Sequence, residues 1–348
     1  LATRLLAQAP AGTIALTPAA ADLCRLRLGA QATALARTAS GAPLMVLRPE
    51  ALAGLAARAT PAASSPAATA AGDGPAPGAV LAGRYQVVSL LGTGGMGAVY
   101  KVRDLELGEI VALKLLRPGL VVDAVQLERL KDELRLARRI THPNVLRTYD
   151  FVEIDGAPCI SMEYVRGTTL RWLLDASGTV PLSAGLRIAR QLAAGLAAAH
   201  AVGVLHRDIK PENVILEATG TARLMDFGIA RPIRRTGPGQ TQVGSFVGTP
   251  AYCAPEQLAG EALDARTDLY ALGVLMCEMF GGRLPHAGTS TVELYLAKSQ
   301  QPPTPPSAHG AGLPPALEAL VMACLQPRPQ DRPATAQAVL DALARIRA

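Results

Sequence analysis

Aromatic side chains are scarce: the 348 residues include one Trp, four Phe and seven Tyr. With so few rings among scattered Lys and Arg residues, the basic, aromatic-interleaved surface of a nucleic-acid binder is excluded, and no nucleic-acid partner is expected. Cysteine is also sparse. Cys24, Cys159, Cys253, Cys277 and Cys324 stand far apart with no C-x-x-C pair, which argues against a zinc ribbon or a disulfide framework. A reducing cytoplasm fits that usage. No uncharged apolar run reaches the roughly 18 residues of a membrane span. The most hydrophobic stretch, Leu269 to Phe280, carries Glu278, so no membrane segment is expected in this chain. The start also lacks a basic, then apolar, then small-residue leader. The chain opens on Leu1 and reads as a fragment of a longer protein.

What is present suits a globular protein, with 49% hydrophobic and 18% charged residues and a formal charge of +6. Residues 57–80 are almost purely Ala, Pro, Ser, Thr and Gly, too poor in large apolar groups to repay chain ordering, and read as a linker. Before it, 1–56 reads as an incomplete segment, the tail of an upstream domain, with a strand at Gly12 to Thr17 and a helix at Pro18 to Leu28. After it, Arg84 to Gly92, Ala98 to Asp104 and Glu109 to Pro118 are short β-branched runs that suggest an antiparallel sheet. Leu127, Leu130, Leu134 and Ala137 then recur at helical spacing within Ala124 to Ile140. Beyond Gly167 the pattern is mainly helical, notably over Ala184 to Ala201, Thr267 to Phe280, Pro315 to Leu325 and Thr335 to Ile346. The fold class is α+β: a small β-rich lobe with its hinge over 81–165 and a larger α-rich lobe over 166–348.

Gly92, Gly94 and Gly97 in GTGGMG form a G-x-G-x-x-G pattern. Missing Cβ atoms let backbone N–H groups approach phosphate oxygens and permit a tight turn. A dinucleotide-binding fold would place a helix directly after these glycines, whereas Ala98 to Asp104 reads as a strand. The loop therefore joins two strands. Lys114 follows an apolar run, so its stem can pack along the sheet while its ammonium reaches an anion. HRDIKPEN at His206 to Asn213, DFG at Asp226 to Gly228 and APE at Ala254 to Glu256 follow in that order.

Order and spacing of these motifs resemble the eukaryotic-type serine/threonine protein kinases over residues 81–348, in a form similar to bacterial members. The resemblance implies transfer of the γ-phosphoryl group of ATP to Ser or Thr of protein substrates, with magnesium, or manganese in its place. Asp208 then resembles the aspartate that takes the substrate's hydroxyl proton, Lys210 a neutraliser of phosphoryl charge, and Asn213 and Asp226 the metal ligands. Lys114 would hold phosphates and would itself be held by Glu133, which is preferred to Glu128. The competing reading of Glu133 is an exposed helix carboxylate paired with Arg129, worth only about 0.3–0.5 kcal/mol. Leu91, Val99, Ala112 and Ile215 would enclose adenine, with Met162 as gatekeeper and the backbone of Glu163 and Val165 on the base edge.

Asp268 resembles the aspartate that anchors the catalytic loop, and Glu256 resembles the partner of Arg332. Thr249 and Tyr252 in GTPAYCAPE resemble a substrate-facing platform. Thr241 and then Ser245 are the candidate sites of autophosphorylation, with Arg207 to receive the phosphate and transient self-association to deliver it. Intact Lys114, Asp208, Asn213 and Asp226 argue against a scaffold that binds without transfer, and the APE segment against a small-molecule acceptor. Separately, the first 30 or so residues weakly resemble the closing segment of class III nucleotide cyclase domains, without a catalytic residue.

Overall fold

Alternation builds the first lobe: in the strand Tyr85–Gly94, Tyr85 and Val87 turn inward while Val88 is exposed. The structure, a computed structural model, describes residues 14–16, 33–37, 43–47, 74–95, 97–117, 124–154, 156–227, 249–309 and 312–347. The chain divides into two units, one of residues 1–74 with 217–220 and one of 75–216 with 221–348. In the first, β1 (Ile14–Leu16), β2 (Thr33–Arg37) and β3 (Pro43–Leu47) form an antiparallel sheet in the order β1-β3-β2. Only the first of these strands is expected from sequence. The helix expected over Pro18 to Leu28 and most of the cyclase-like stretch lie outside the described residues.

The second unit begins with a six-stranded antiparallel sheet of β4 (Val80–Leu81), β5 (Tyr85–Gly94), β6 (Gly97–Asp104), β7 (Ile110–Leu116), β8 (Thr148–Ile154) and β9 (Ala157–Glu163). Their order is β4-β5-β6-β7-β9-β8. Arg84 grips buried Asp104 through Nε at 3.0 Å and Nη2 at 2.6 Å, locking the open end of the β5–β6 hairpin. Val111 and Leu113 pack on one face with Tyr85, Val87, Tyr100 and Val102. Ala112 and Leu116 pack on the other with Leu130 and Leu134 of α1 (Ala124–Ala137). Period two therefore puts Lys114 on the α1 face. On α1, the spacing that buries Leu130, Leu134 and Ala137 carries Glu133 toward the sheet, while Glu128–Lys131 and Asp132–Arg135 pair along its outer face.

In the second lobe, α2 (Leu170–Ser177) starts at Thr169, whose hydroxyl accepts the Trp172 N–H at 3.2 Å. The long α3 (Leu182–Ala201) and α5 (Ala265–Gly281) form its centre, and α5 is buried along nearly its whole length, as its apolar sequence demands. Gly185 permits their contact, since a Cβ there would stand 2.4 Å from the Phe280 ring. α4 (Pro255–Ala259), α6 (Thr291–Gln300), α7 (Pro315–Cys324) and α8 (Ala336–Arg345) complete the lobe. A small sheet of β10 (Gly167–Thr169), β11 (Val214–Glu217) and β12 (Ala222–Leu224) flanks residues 206–213. Among the described residues no helix is long and apolar enough to cross a membrane.

Candidate active site

At the tip of the β5–β6 hairpin, Gly94 pairs with Gly97 and Gly92 with Val99. Gly97 has φ +151°, and a Cβ there would lie 1.9 Å from the Leu115 carbonyl oxygen, so the fold itself requires glycine. At Gly92 and Gly94 a Cβ would meet nothing within 4 Å. Their bareness is not explained by internal packing; it leaves open backbone where a phosphate chain could lie.

Lys114 sits on the cleft face of β7, and its buried Nζ stands 2.7 Å from Asp226 Oδ1. Glu133 instead takes Arg207 Nη1 at 2.9 Å. The partner expected for Lys114 is thus not the one it has here. The two cations are engaged by different carboxylates, Lys114 by Asp226 and Arg207 by Glu133. Arg207 reaches α1 because its own backbone is fixed in the left-handed region at φ 62°. Burial raises the Glu133 carboxyl above its ordinary value, and the Arg207 charge opposes that rise. Glu128 pairs with Lys131 at 2.8 Å on the exposed face, away from this cluster.

The catalytic loop is anchored from beneath. The His206 N–H donates to Asp268 Oδ2 and the Arg207 N–H to Oδ1, each at 2.8 Å, and His200 Nε2 donates to Oδ2 at 2.8 Å. This is the anchoring expected of Asp268. Burial alone would raise its carboxyl, but the hydrogen bonds from His200 and from the His206 backbone N–H hold it below the ordinary range. His206, fully enclosed, is pushed down by burial. Its neutral ring donates from Nε2 to the Met225 carbonyl at 3.0 Å and accepts the Asp208 N–H at Nδ1 at 3.3 Å. One imidazole therefore ties the loop bearing Asp208 to the strand end bearing Asp226.

Above that anchor, Lys210 Nζ stands 3.1 Å from Asp208 Oδ2. Asn213 Nδ2 donates to the Asp208 carbonyl at 2.8 Å and to Asp208 Oδ2 at 3.0 Å. Both bonds use the amide nitrogen, which leaves the carboxamide oxygen as a hard ligand. Asp226 is held at φ 56°, strain of the kind that functional sites store. Among the described residues no cluster of three or more His, Cys, Asp or Glu could hold a metal ion. The donor set of Asn213 and Asp226 suits magnesium, which uses few protein oxygens and completes its shell from phosphate and water.

Ala112 pairs across the sheet with Met162, and both are buried beside partly buried Val99. Glu163 closes β9, its N–H donating to the Arg147 carbonyl at 2.9 Å and its carboxylate taking Arg223 Nη1 at 3.1 Å. Ile215 lies in β11, a second-lobe strand, and Leu91 stands exposed on the hairpin. Val165 follows the strand as hinge. Thr241, Ser245 and Gly228 lie outside the described residues.

Past that gap, Glu256 forms a buried two-pronged pair with Arg332, Oε1 to Nη1 at 2.7 Å and Oε2 to Nη2 at 2.8 Å, as expected from sequence. Thr267 adds its hydroxyl at 2.9 Å. Tyr252 donates to Glu278, which also holds Arg171. Sequence patterns alone did not single out Arg171, Glu278 or Lys298. For Lys298 a signal existed: it falls four residues after Leu294 and one after Ala297, on the buried side of α6.

Glycines at a hairpin tip, a strand lysine paired with one aspartate, and a second aspartate beside a lysine and an asparagine are the parts that a phosphoryl-transfer fold brings together. The family model described as "Protein kinase domain" matches residues 85–343, and the chain belongs to that family. It is 40% identical over 272 residues to the Myxococcus xanthus serine/threonine-protein kinase pkn3, an alignment covering 75% of this chain and 49% of the relative. Against serine/threonine-protein kinase PknB of Mycobacterium tuberculosis it is 36% identical over 270 residues, 76% of this chain and 43% of that protein. The chain therefore spans about half, or less, of these curated relatives. The solved Mycobacterium tuberculosis PknI kinase domain superposes with a TM-score of 0.63 at 32% identity, covering 78% of this chain and 98% of that one.

Proposed function

We propose that this chain phosphorylates Ser and Thr hydroxyls of proteins with ATP, its own activation segment among them. The observation that carries the reading is the convergence of Lys210 and Asn213 on Asp208 within 3.1 Å contacts, in a loop that His206 ties to the segment bearing Asp226. Asp208 accepts the proton of the acceptor hydroxyl. Lys210, already beside it, offsets negative charge that builds on the transferring group. Asn213 and Asp226 would hold magnesium, whose charge would draw phosphate oxygens together; manganese would fit the same oxygen donors. Lys114 and the bare hairpin glycines Gly92, Gly94 and Gly97 would bind phosphates. Leu91, Val99, Ala112, Met162 and Ile215 would enclose adenine, with the backbone at Glu163 and Val165 on its edge.

Glu133 requires a change of partner in this reading. Phosphate on Thr241 or Ser245 would compete for Arg207 through charge-assisted hydrogen bonds. Glu133, so released, would turn to Lys114. Transfer between two transiently associated copies would deliver that phosphate. The reacting domain is proposed to run over 81–348, with 57–80 linking it to 1–56 as the tail of an upstream domain. ATP use and the reduced cysteines Cys159, Cys253, Cys277 and Cys324 among the described residues support a cytoplasmic setting.

Mass spectrometry of the dephosphorylated chain after incubation with ATP and magnesium tests the reading, beside Asp208→Asn. Phosphate is expected on Thr241 or Ser245 in the parent, with a loss of roughly 100-fold or more in the variant. No phosphate on the parent or on added Ser/Thr peptides would overturn it.

A further inference from the structure

Residues 249–253, before α4, belong to no strand or helix, yet by resemblance they form the platform that meets the protein substrate. Three of their carbonyls converge on one buried cation. Lys298 of α6 is 1% exposed, and its Nζ donates to the carbonyl oxygens of Pro250 at 3.1 Å, Ala251 at 2.7 Å and Cys253 at 2.7 Å. An ammonium carries three N–H bonds, so three carbonyls exhaust it. Below lies the buried Tyr270 ring, with its centroid 5.4 Å from Nζ and 4.9 Å from the Arg332 guanidinium carbon.

No carboxylate pairs with Lys298 among the described residues; Glu256, which acts on it electrostatically, is bound to Arg332 and Thr267. Burying a charge without a counter-ion is costly, and an apolar side chain would fill the same space more cheaply. What only the ammonium supplies is a fixed course for the backbone of 250–253.

We infer that Lys298 is the positioning residue of the protein-substrate platform, setting its backbone and hence its grip on the peptide without a part in nucleotide binding. This rests on the kinase reading above. Free thiols ionise at about 8.5, so Cys253, which acts on Lys298, is replaced by Ser in the parent used for the pH series, leaving the ammonium to titrate separately. Burial lowers the ammonium to about 8, while Cys253 and Glu256 pull the other way. His286 is pushed to about 4 by burial and by Lys298, and burial raises Tyr270, so both stay neutral around pH 8. The Arg332 charge remains engaged by Glu256. Above pH 8 the amine has two donors for three carbonyls, and its lone pair faces the third.

Steady-state kinetics with a Ser peptide lacking groups that titrate between pH 7 and 9 provide the test. In the parent, peptide KM should climb from pH 7 to pH 9 while ATP KM holds. Lys298→Met should raise peptide KM roughly tenfold at pH 7, leave ATP KM alone and flatten the alkaline limb. An active parent whose peptide KM is flat across that range, or whose ATP KM climbs in step, overturns the inference even where the variant does not fold. An active parent matched by Lys298→Met does so as well. A parent inactive on every peptide instead overturns the kinase reading beneath it.

Discussion

Charges in the cleft and charges under the platform are held in opposite ways. In the cleft, Lys114–Asp226 and Glu133–Arg207 are single contacts between side chains that remain 10–34% exposed. Beneath the platform, the Glu256–Arg332 pair is at most 3% exposed, and Arg332 makes further bonds to the carbonyls of Gln326, Arg266 and Pro327. Asp268 likewise accepts from three donors. One-contact pairs in partial solvent exchange at low cost, whereas breaking a buried pair held by several hydrogen bonds is strongly destabilising. The lightly held pairs are those whose partners change in the proposed mechanism, and the heavily held ones anchor loops.

The sharpest way to break this comparison is Glu256→Gln. It leaves Arg332 buried with its charge uncompensated, a loss of about 3–5 kcal/mol. Thermal unfolding should fall by on the order of 10 °C. A shift within about 2 °C would mean that the buried pair is no more fixed than those of the cleft.

Acid offers a second, smaller probe, because His206 and Asp268 both sit in the fixed set. His206 is lowered by burial, so below about pH 6.5 the unfolded chain binds a proton that the folded one refuses, and stability falls. Asp268 is lowered against burial by His200 and the loop N–H groups. Its contribution is complete above about pH 4 and fades as pH falls further. Chemical denaturation between pH 7 and pH 4 should therefore show a loss beginning near 6.5 in the parent. His206→Asn should shrink the upper part of that limb. A parent equally stable at pH 7 and pH 5 would contradict the anchoring role of a neutral imidazole.

Much of this was legible beforehand, for uneven reasons. β5, β6, β7 and α1 announce themselves by period, and the glycine, HRD, DFG and APE segments by residue type at fixed spacing. β8 did not, because Thr148–Ile154 interleaves Asp150 and Glu153 with its apolar residues and alternates poorly. α2 is short, and α6 mixes Glu, Lys and Tyr with Leu, so neither shows a clean stripe. Asp268 and the Glu256–Arg332 pair were legible only through resemblance of the segments around them to kinase motifs. Glu133 was singled out by the family resemblance, which pairs it with Lys114; its contact with Arg207 depends on how residues from other elements approach α1 and left no mark in the sequence.

The exchange at Glu133 is where the comparison can be sharpened most finely. Glu133→Gln keeps an acceptor for Arg207 and removes only the charge from a contact that is one-third exposed on the carboxylate side. Stability should change by less than about 1 kcal/mol, far below the effect at Glu256. Turnover should respond differently: once the activation segment is phosphorylated, a neutral amide holds the Lys114 ammonium poorly, and kcat should drop by roughly tenfold or more. Before phosphorylation the same change should matter little, because Lys114 is then held by Asp226. Measuring unfolding and kcat on dephosphorylated and phosphorylated protein separates the two demands. Equal loss of kcat in both forms would mean that Glu133 serves catalysis without changing partners. A stability loss near that of Glu256→Gln would place the Arg207 contact among the fixed pairs.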